Sequence, residues 1–495
     1  MYRLSAILDT YMPFDSLSQY IGALENAGEL RRVKTMVSPH LEIAEIMRRL
    51  MYKGDQPAIL FENVEGYEIP VLGNAFGTIK RIKIALQTED FTEIGERIVD
   101  LTKMKIPHGI FNKLKLLPKL SEISEYGPQY VNSGPVNEVI ELDYPSLNSL
   151  PVLKSFPGDA GKFITFGLTV TKHPETGMRN IGVYRIQIIN DKEAIMHWQI
   201  HKRGAQHYEL IKEKKENKIE VAIVIGADPA TVFSAVAPVP EGMDKYLFSG
   251  ITRKNGIKLV KCKTVDLEVP ANSEIVLEGY VNAELLKVEG PFGDHTGYYT
   301  TPELYPTFVL TGIMRRKNPV YLTTVVGKPI LEDAFIGKVI ERSFLPLIKM
   351  VQPEVSDFYM PPAGWFQGLA VISIKKRYPG QAKKVMMGLW GMGQLSLTKM
   401  FLVVDDDVNI QNMDEVIWAV TTRADPKRDT IIIDNCPTDT LDPASPLVNF
   451  GSKLGIDATT KWKEEGFTRE IQNVVSADSD TKVLVDKKWN NYNIF

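Results

Sequence analysis

The chain has 495 residues, of which 44% are hydrophobic and 24% charged, and its formal net charge is −3. This length predicts two or three globular domains, and the small net charge argues against binding to nucleic acid or to an anionic membrane. Two cysteines, Cys262 and Cys436, are too few for a disulfide framework or a cysteine-based metal site. The sequence shows neither a signal peptide nor ~18 consecutive apolar residues, so we expect a cytoplasmic protein with a small-molecule substrate.

Helices and strands alternate over the first hundred residues. Apolar residues at helical spacing follow Ser16, which predicts a helix with Ser16 as its N-cap. A second helix is predicted around residues 43–51, and an apolar strand over 58–61. We assign residues 1–118 to an N-terminal α/β domain.

The middle of the chain is rich in β-branched residues. They predict five strands, at 163–171, 181–189, 274–281, 307–313 and 320–325. Pro174-Glu-Thr-Gly177 predicts a hairpin turn between the first two strands. We therefore expect a mostly antiparallel sheet or barrel with helical insertions over residues 119–328.

The last third of the chain, 329–495, again alternates between helices and strands. Helices are predicted at 335–350, 382–389 and 413–420, and strands at 368–374, 400–404 and 430–434. This order predicts βαβ crossovers and a C-terminal α/β domain, so the fold class as a whole is mixed α/β.

Common catalytic motifs are absent. The sequence contains no G-x-G-x-x-G after a strand, no P-loop, no G-x-S-x-G and no H-E-x-x-H. The glycine-rich segment 388–393 has different spacing and predicts a turn that ends a helix. The acidic run 405–407 follows a strand and could hold magnesium, but a solvated loop is the preferred interpretation.

Three stretches of the middle third, 179–185, 197–204 and 289–299, concentrate residues suited to chemistry. Pro291 and Gly293 exclude a helix between Glu289 and Asp294, so a tight loop can bring the two carboxylates together. Repulsion and burial would then raise the pKa of one of them and create a general acid, whereas a solvated turn would leave both ordinary.

Basic and histidine side chains in the first two stretches also allow two interpretations each. Arg185, predicted on a strand, can clamp a substrate carboxylate or form a structural salt bridge. His197 and His201 are four residues apart, a spacing found both in metal sites and in packed cores. The adjacent Lys202 and Arg203 can bind a phosphate.

Together these stretches resemble the UbiD family of decarboxylases, which use prenylated flavin mononucleotide (FMN). The similarity runs over nearly the whole chain. It includes four further segments, at 70–77, 261–279, 442–446 and 451–458. The resemblance implies a central split β-barrel that binds the flavin and a C-terminal domain through which relatives form oligomers, here a dimer or hexamer.

The resemblance also implies roles for individual residues. Arg185, Glu289 and Asp294 match the family's catalytic arginine and two acids, with Asp294 as proton donor. The implied cofactor-binding residues are Asn180, Val183, Tyr184, Arg185, His197, Trp198, Gln199, His201, Lys202 and Arg203. The implied ligands of a divalent metal, usually manganese, are Asn180, His201 and Glu241, and a potassium ion is a further implied cofactor.

One position departs from the family pattern. The family's metal-binding glutamate falls where this chain has Lys245. Three explanations stay open: Glu241 or Asp244 reaches the ion, the Lys245 ammonium replaces part of the metal's charge, or the chain is a paralogue without activity.

The resemblance predicts non-oxidative, reversible decarboxylation of an α,β-unsaturated or aromatic acid, with a flavin prenyltransferase as cofactor supplier. The leading substrate hypotheses are trans-anhydromevalonate 5-phosphate, in isoprenoid biosynthesis, and a hydroxybenzoate. Two alternatives are a non-catalytic subunit of a decarboxylase complex and a metal-dependent hydrolase that uses Asn180, His197, His201 and Asp294.

Overall fold

The computed structural model describes residues 13–54, 56–102, 124–200, 202–214, 216–239, 242–365, 367–469, 474–492 and 494. They form an N-terminal α/β unit, a central unit built on a large sheet, and a C-terminal α/β unit, in the predicted mixed α/β class. The predicted boundary at 118/119 lies outside the described residues.

In its described residues, the N-terminal unit packs four helices against a small mixed sheet. Its elements are α1 (Leu17–Asn26), β1 (Leu30–Val33), α2 (Glu42–Lys53), β2 (Ala58–Phe61), β3 (Val71–Gly73), α3 (Ile79–Leu86) and α4 (Thr92–Thr102). The Ser16 hydroxyl accepts a hydrogen bond from the Gln19 amide, which confirms the predicted N-cap.

The central unit contains thirteen strands and three helices among the described residues. The strands are β4 (Gln129–Tyr130), β5 (Val139–Glu141), β6 (Phe163–Ile164), β7 (Leu168–Lys172), β8 (Arg179–Val183), β9 (Ile186–Ile188), β10 (Glu193–Met196), β11 (Lys218–Ile225), β12 (Lys258–Lys261), β13 (Glu268–Pro270), β14 (Ile275–Glu289), β15 (Glu303–Arg315) and β16 (Tyr321–Leu322). The helices are α5 (Arg203–Glu213), α6 (Pro229–Val236) and α7 (Lys245–Arg253).

Nine of these strands form one antiparallel sheet that curls into a half-barrel. Its order is β6-β9-β10-β15-β14-β11-β7-β8, and β5 pairs with β15. The hairpin predicted at 174–177 is confirmed, since β7 and β8 pair in antiparallel fashion and Gly177 has φ of +69°. The long β14–β15 hairpin carries a loop, residues 290–302, that contains Asp294 at its tip.

Three sequence predictions for this region need correction. The strand predicted over 163–171 is divided into β6 and β7, and the one over 181–189 into β8 and β9. The strand predicted over 320–325 is the short β16, which pairs in parallel with β3 and so completes the N-terminal sheet. Sequence pattern identifies a strand but not the sheet that it joins.

The C-terminal unit has the predicted alternation of helices and strands. Its elements are α8 (Glu332–Val351), β17 (Val355–Tyr359), β18 (Leu369–Ile374), α9 (Gln381–Trp390), β19 (Met400–Asp405), α10 (Met413–Arg423), β20 (Thr430–Pro437), β21 (Phe450–Ala458) and α11 (Ser479–Lys488). The strands β18, β19 and β21 are parallel, and β17 and β20 are antiparallel edges. Sequence analysis did not predict β17 and β21.

Two minor predictions in this unit can also be compared with the structure. Gly391 caps the end of α9, as predicted for the glycine-rich segment. In the acidic run 405–407, Asp405 and Asp407 both form ion pairs with Arg423. These carboxylates are thus held by an arginine rather than left in a purely solvated loop.

The hydrophobic core clusters do not follow the boundaries between the three units of the chain. Two core clusters each combine residues of the N-terminal and central units, and the C-terminal sheet has cores of its own. The helix α8 connects the units because it packs against α4. Gly95 of α4 has no side chain, so the α4 backbone can lie close to the main-chain oxygen of Ser343 in α8. No helix in the described part of the chain is long and apolar enough to cross a bilayer.

Candidate active site

Arg185 lies where the central sheet is interrupted. The strand β8 ends at Val183 and β9 begins at Ile186, so Tyr184 and Arg185 stand outside the regular ladder. The sequence pattern had placed Arg185 on one face of a continuous strand. The interruption leaves the Arg185 side chain 7% exposed and directed at two acids.

The guanidinium of Arg185 binds both predicted catalytic carboxylates. Its Nε and Nη2 donate to the two oxygens of Glu289, at 2.7 and 3.0 Å. Its Nη1 donates to Asp294 Oδ2 at 2.5 Å, and the Phe292 ring lies 5.1 Å from the guanidinium carbon. The predicted arginine and two acids therefore form one buried ion cluster.

Hydrogen bonds fix the loop that carries the second acid. Asp159 accepts from the Gly293 amide at 2.8 Å, and Gln187 accepts from the Gly290 amide at 2.9 Å. The Thr300 hydroxyl accepts from the Phe292 amide at 3.1 Å. Because the loop is anchored on both sides of Asp294, this carboxylate is positioned before any ligand binds.

The protonation state of the acids differs from the sequence prediction of one raised pKa. Burial alone would raise the pKa of Glu289, but hydrogen bonds from His197 and Arg185 outweigh it and lower this pKa to about 2. Burial is likewise outweighed at Asp294, where His295 and Arg185 hold the pKa below its ordinary value. The loop pattern alone indicated repulsion between the carboxylates, whereas the cation that keeps Glu289 ionised was expected only through the family resemblance.

His197 belongs to this cluster. Its Nδ1 lies 3.2 Å from Glu289 Oε2, and its ring packs on Tyr305 with centroids 4.3 Å apart. Burial and the charge of Arg185 lower the pKa of His197, so the ring is neutral near pH 7. Its place beside Glu289 does not fit the metal-ligand role assumed in the hydrolase hypothesis.

Several residues around Asp294 were not predicted from the sequence as site residues. His295 Nδ1 lies 2.9 Å from Asp294 Oδ1, and this contact outweighs burial to raise the pKa of His295. Burial raises the pKa of Asp333 to about 6, with His295 opposing it, and Asp439 also acts on His295. Trp365 packs 5.9 Å from the His295 ring. His295 was detectable as the neighbour of a selected acid, whereas the other three lie on distant segments.

A second group of predicted residues surrounds the start of α5. The Tyr184 hydroxyl accepts from the Gly204 amide at 3.1 Å, and Trp198 packs edge-on against Tyr184. A side chain at position 204 would meet both rings, at 2.8 Å from the Tyr184 hydroxyl and 2.9 Å from Trp198 Nε1. Asn180 is 2% exposed, and its amide nitrogen forms no hydrogen bond of full geometry among the described residues.

The remaining predicted cofactor residues lie close by. Val183 ends β8, and the Gln199 carbonyl accepts from the Lys202 amide at 2.9 Å. Burial lowers the pKa of Lys202, while burial and the charges of Arg203 and Lys202 lower the pKa of Lys245 to about 7. Three basic side chains thus lie near one another.

The implied metal site is incomplete in the described part of the chain. Two of its three predicted ligands, His201 and Glu241, lie outside the described residues. No group of three or more His, Cys, Asp or Glu side chains among the described residues is arranged to hold a metal ion. Lys245, in the slot of the family's glutamate, brings a positive charge where a divalent ion would need a ligand. Among the described residues, Asn180 is thus the one predicted ligand, and the Lys245 ammonium would oppose a divalent ion there.

A cavity of about 730 Å³ opens beside Asp294. The helix α2 and the loops around 156, 298 and 328 enclose it, and Arg48, Tyr52, Tyr298 and Lys328 are among its lining residues. Asp294 lines this cavity and Arg185 does not. A molecule in the cavity could therefore exchange a proton with Asp294.

Comparison with known proteins identifies the family. The model described as the 3-octaprenyl-4-hydroxybenzoate carboxy-lyase Rift-related domain matches residues 129–329. The N-terminal and C-terminal domain models of the same carboxy-lyase match residues 21–100 and 334–458. An uncharacterized protein of Archaeoglobus fulgidus is 51% identical over 97% of this chain and 98% of its own length.

Solved structures agree with these matches. The closed form of vanillic acid decarboxylase from Sedimentibacter hydroxybenzoicus has a TM-score of 0.85 and 28% identity, over 97% of this chain and 100% of its own. An evolved dimeric form of the UbiD-class enzyme HmfF from Pelotomaculum thermopropionicum, in complex with prenylated FMN, has a TM-score of 0.76 and 27% identity, over 95% and 98%. Because family models match all three units in order, the chain belongs to the UbiD family of decarboxylases.

Proposed function

We propose that this protein catalyses reversible, non-oxidative decarboxylation of an α,β-unsaturated or aromatic carboxylic acid, with prenylated FMN as cofactor. The buried contact of Arg185 with Glu289 and Asp294, beside a cavity that Asp294 lines, carries this proposal. When bound, prenylated FMN supplies the electron sink that loss of CO₂ from an sp² carbon requires and that side chains lack. Tyr184 and Trp198, with the basic residues near Lys245, would hold it.

Arg185 would orient the substrate. A carboxylate that approaches its Nη1 competes with Asp294, which is bound there in the free protein. Glu289 keeps its two hydrogen bonds to Nε and Nη2 and stays ionised at neutral pH, since its pKa is about 2. The guanidinium is thereby held in one orientation.

Asp294 would act as the proton donor. Release from Arg185 removes a positive charge, so the pKa of Asp294 rises and the carboxyl takes a proton, for which His295 is the nearest source. The substrate's bond to its carboxyl carbon breaks, CO₂ leaves, and Asp294 transfers its proton to the carbon that retains the electron pair. In the reverse direction Asp294 removes that proton.

The cavity also bears on the substrate hypotheses. Arg48 and Lys328 provide positive charge there, although Arg48 is paired with Glu45 at 2.6 Å. These cations favour a substrate with a second anionic group, such as trans-anhydromevalonate 5-phosphate, which would yield isopentenyl phosphate. Tyr52 and Tyr298 would instead suit a hydroxybenzoate ring. Comparison of CO₂ release from both acids tests the assignment.

The central test is Asp294→Asn in protein produced together with a flavin prenyltransferase. We expect turnover to fall by about 10²–10⁴-fold while flavin content stays at the wild-type level, because only proton transfer is removed. Asp407→Asn, which removes an ion-paired carboxylate far along the sequence, should retain activity. Equal loss of flavin and turnover in Asp294→Asn would show a structural role and contradict the proposal.

The assembly is part of the same proposal. We infer a cytoplasmic homo-oligomer, a dimer or hexamer, formed through the C-terminal unit; light scattering on the purified protein tests this. The described site favours neither alternative: Arg185 contacts both Glu289 and Asp294, as a catalytic subunit requires, and His197, a metal ligand in the hydrolase hypothesis, lies against Glu289 instead. If the purified protein bound no flavin and released no CO₂, these two alternatives would gain support.

A further inference from the structure

Three basic side chains approach the strand β8 from the N-termini of two helices. Lys202 is the N-cap residue of α5, Arg203 is the first residue of α5, and Lys245 is the first residue of α7. Both helices pack against β8, and an ion pair of 3.0 Å joins Arg179 of β8 to Asp244, the N-cap of α7. The positive ends of two helix dipoles thus accompany three cationic side chains.

Neutral carbonyl groups hold two of these side chains in place. Lys245 Nζ donates to the Ala235 carbonyl at 3.0 Å, and Arg203 Nη2 donates to the Val239 carbonyl at 2.6 Å. The Lys245 contact uses one of the three donors of an ammonium group and supplies no negative charge. Among the described residues, a carboxylate, Asp439, acts electrostatically on Lys202, whereas the charges of Arg203 and Lys202 act on Lys245. The adjacent carboxylate, Asp244, is paired with Arg179. A buried positive charge of this kind calls for an anionic ligand.

Buried donors without a hydrogen bond of full geometry provide a second, independent observation. Asn180, on β8, is 2% exposed; its side-chain nitrogen forms no hydrogen bond of full geometry among the described residues, although it lies close enough to the Tyr184 hydroxyl to lower the pKa of that group. Trp198 Nε1, which faces Gly204 at the start of α5, also forms no such bond among them. The region is therefore rich in donors and positive charge, and a ligand with several acceptor oxygens and negative charge would complement it.

We propose that Lys245, together with Lys202 and Arg203, binds the phosphate monoester of the flavin directly and takes the place of a divalent metal ion. This inference rests on the proposed function only in taking an FMN-type cofactor as the ligand. A divalent cation next to the Lys245 ammonium would be repelled, and the described residues offer no alternative cluster of metal ligands. A phosphate dianion instead supplies the missing charge and the acceptor oxygens.

The test uses the full-length protein, produced without a flavin prenyltransferase, and measures binding of FMN by flavin fluorescence. Riboflavin, which lacks the phosphate, and inorganic phosphate as competitor identify the group that is bound. We expect FMN affinity to change by less than about threefold between EDTA and added Mn²⁺, and FMN to bind at least about tenfold more tightly than riboflavin. Manganese-dependent FMN binding, or equal binding of FMN and riboflavin, would overturn the proposal.

Two substitutions of Lys245 then separate charge from metal binding. Lys245→Met should weaken FMN binding by about 10- to 100-fold with or without Mn²⁺, and leave riboflavin binding unchanged. Lys245→Glu should weaken it similarly in EDTA and recover affinity in Mn²⁺, because a carboxylate can recruit the ion. Lys258→Met, at an exposed lysine of the same unit, is the matched control. Wild-type FMN affinity in Lys245→Met would refute the inference, and because no readout involves CO₂ release, the decarboxylase proposal is judged separately.

Discussion

Replacement of Arg185 by Met tests how the site keeps two carboxylates buried and ionised. Methionine is apolar and fills part of the same space, but it removes the cation that Glu289 and Asp294 share at 2.7 and 2.5 Å. Removal of one partner from a buried ion pair typically costs about 3–5 kcal/mol. The lowered pKa of Glu289 indicates a free energy of similar size: the difference between 4.5 and about 2 corresponds to about 3 kcal/mol.

The pH dependence of stability should change in sign. In the wild type the folded-state pKa of Glu289 is lowered, so its contribution is complete above pH 4.5 and is lost as the pH falls towards 2. Without Arg185, burial of Glu289 is opposed by His197 alone, so we expect the pKa of Glu289 to rise, and the pKa of His197 rises in part because the charge of Arg185 no longer lowers it. The folded variant then binds protons more readily than the unfolded chain, and its stability increases as the pH falls from 7 to 5.

Urea denaturation at pH 5, 6, 7 and 8, followed by tryptophan fluorescence, measures both effects. The control is Arg32→Met, which removes an arginine that also bridges two glutamates, Glu25 and Glu62, but with a side chain 39% exposed. This control should shift the transition by less than about 1 kcal/mol at every pH. If Arg185→Met costs no more than Arg32→Met, or the same amount at pH 5 as at pH 7, the proposed ion cluster does not govern the site.

Two further predictions concern close packing around glycines. Gly204→Ala places a methyl group against the Tyr184 hydroxyl and Trp198, so we expect roughly tenfold weaker FMN binding in a fluorescence titration; unchanged affinity would show that these rings do not shape the flavin site. Gly95→Ala makes the new methyl overlap the main-chain oxygen of Ser343, so α4 must move away from α8. We expect a lower urea midpoint by about 1–3 kcal/mol, and an unchanged midpoint would show that the two helices can separate without cost.

Local sequence signals predicted local structure well. The Ser16 cap, the turn at 174–177 and the helix end at Gly391 each depend on neighbours a few residues away, and all three occur in the structure. The same signals do not predict which distant segments of the chain pair with each other. The strand β16 pairs in parallel with β3, about 250 residues earlier in the chain. Parallel strands are not joined by a short turn, so the local sequence does not indicate which strand is the partner.

The candidate site shows the same limit. Spacing alone could place Glu289 and Asp294 in one loop, but the bond to Arg185 spans more than a hundred residues and was expected only through the family resemblance. The lowered pKa of both acids follows from that bond, so it could not be predicted from the loop. Asp439 was not predicted as a site residue because it lies in a loop of the C-terminal unit and belongs to no recognisable motif.

The segment from Asn180 to Arg185 relates the two charged regions to one cofactor. Basic groups gather around β8 near Asn180, and the acids meet Arg185 just beyond the end of β8. At about 3.3 Å per residue, an extended chain places these positions no more than about 17 Å apart. A ligand with a phosphate at one end and a reactive ring at the other can span such a distance, so the cations would fix its phosphate while the acids act at its ring. Under this division, Lys245 would alter the requirement for a metal without altering the groups that we propose to move the proton.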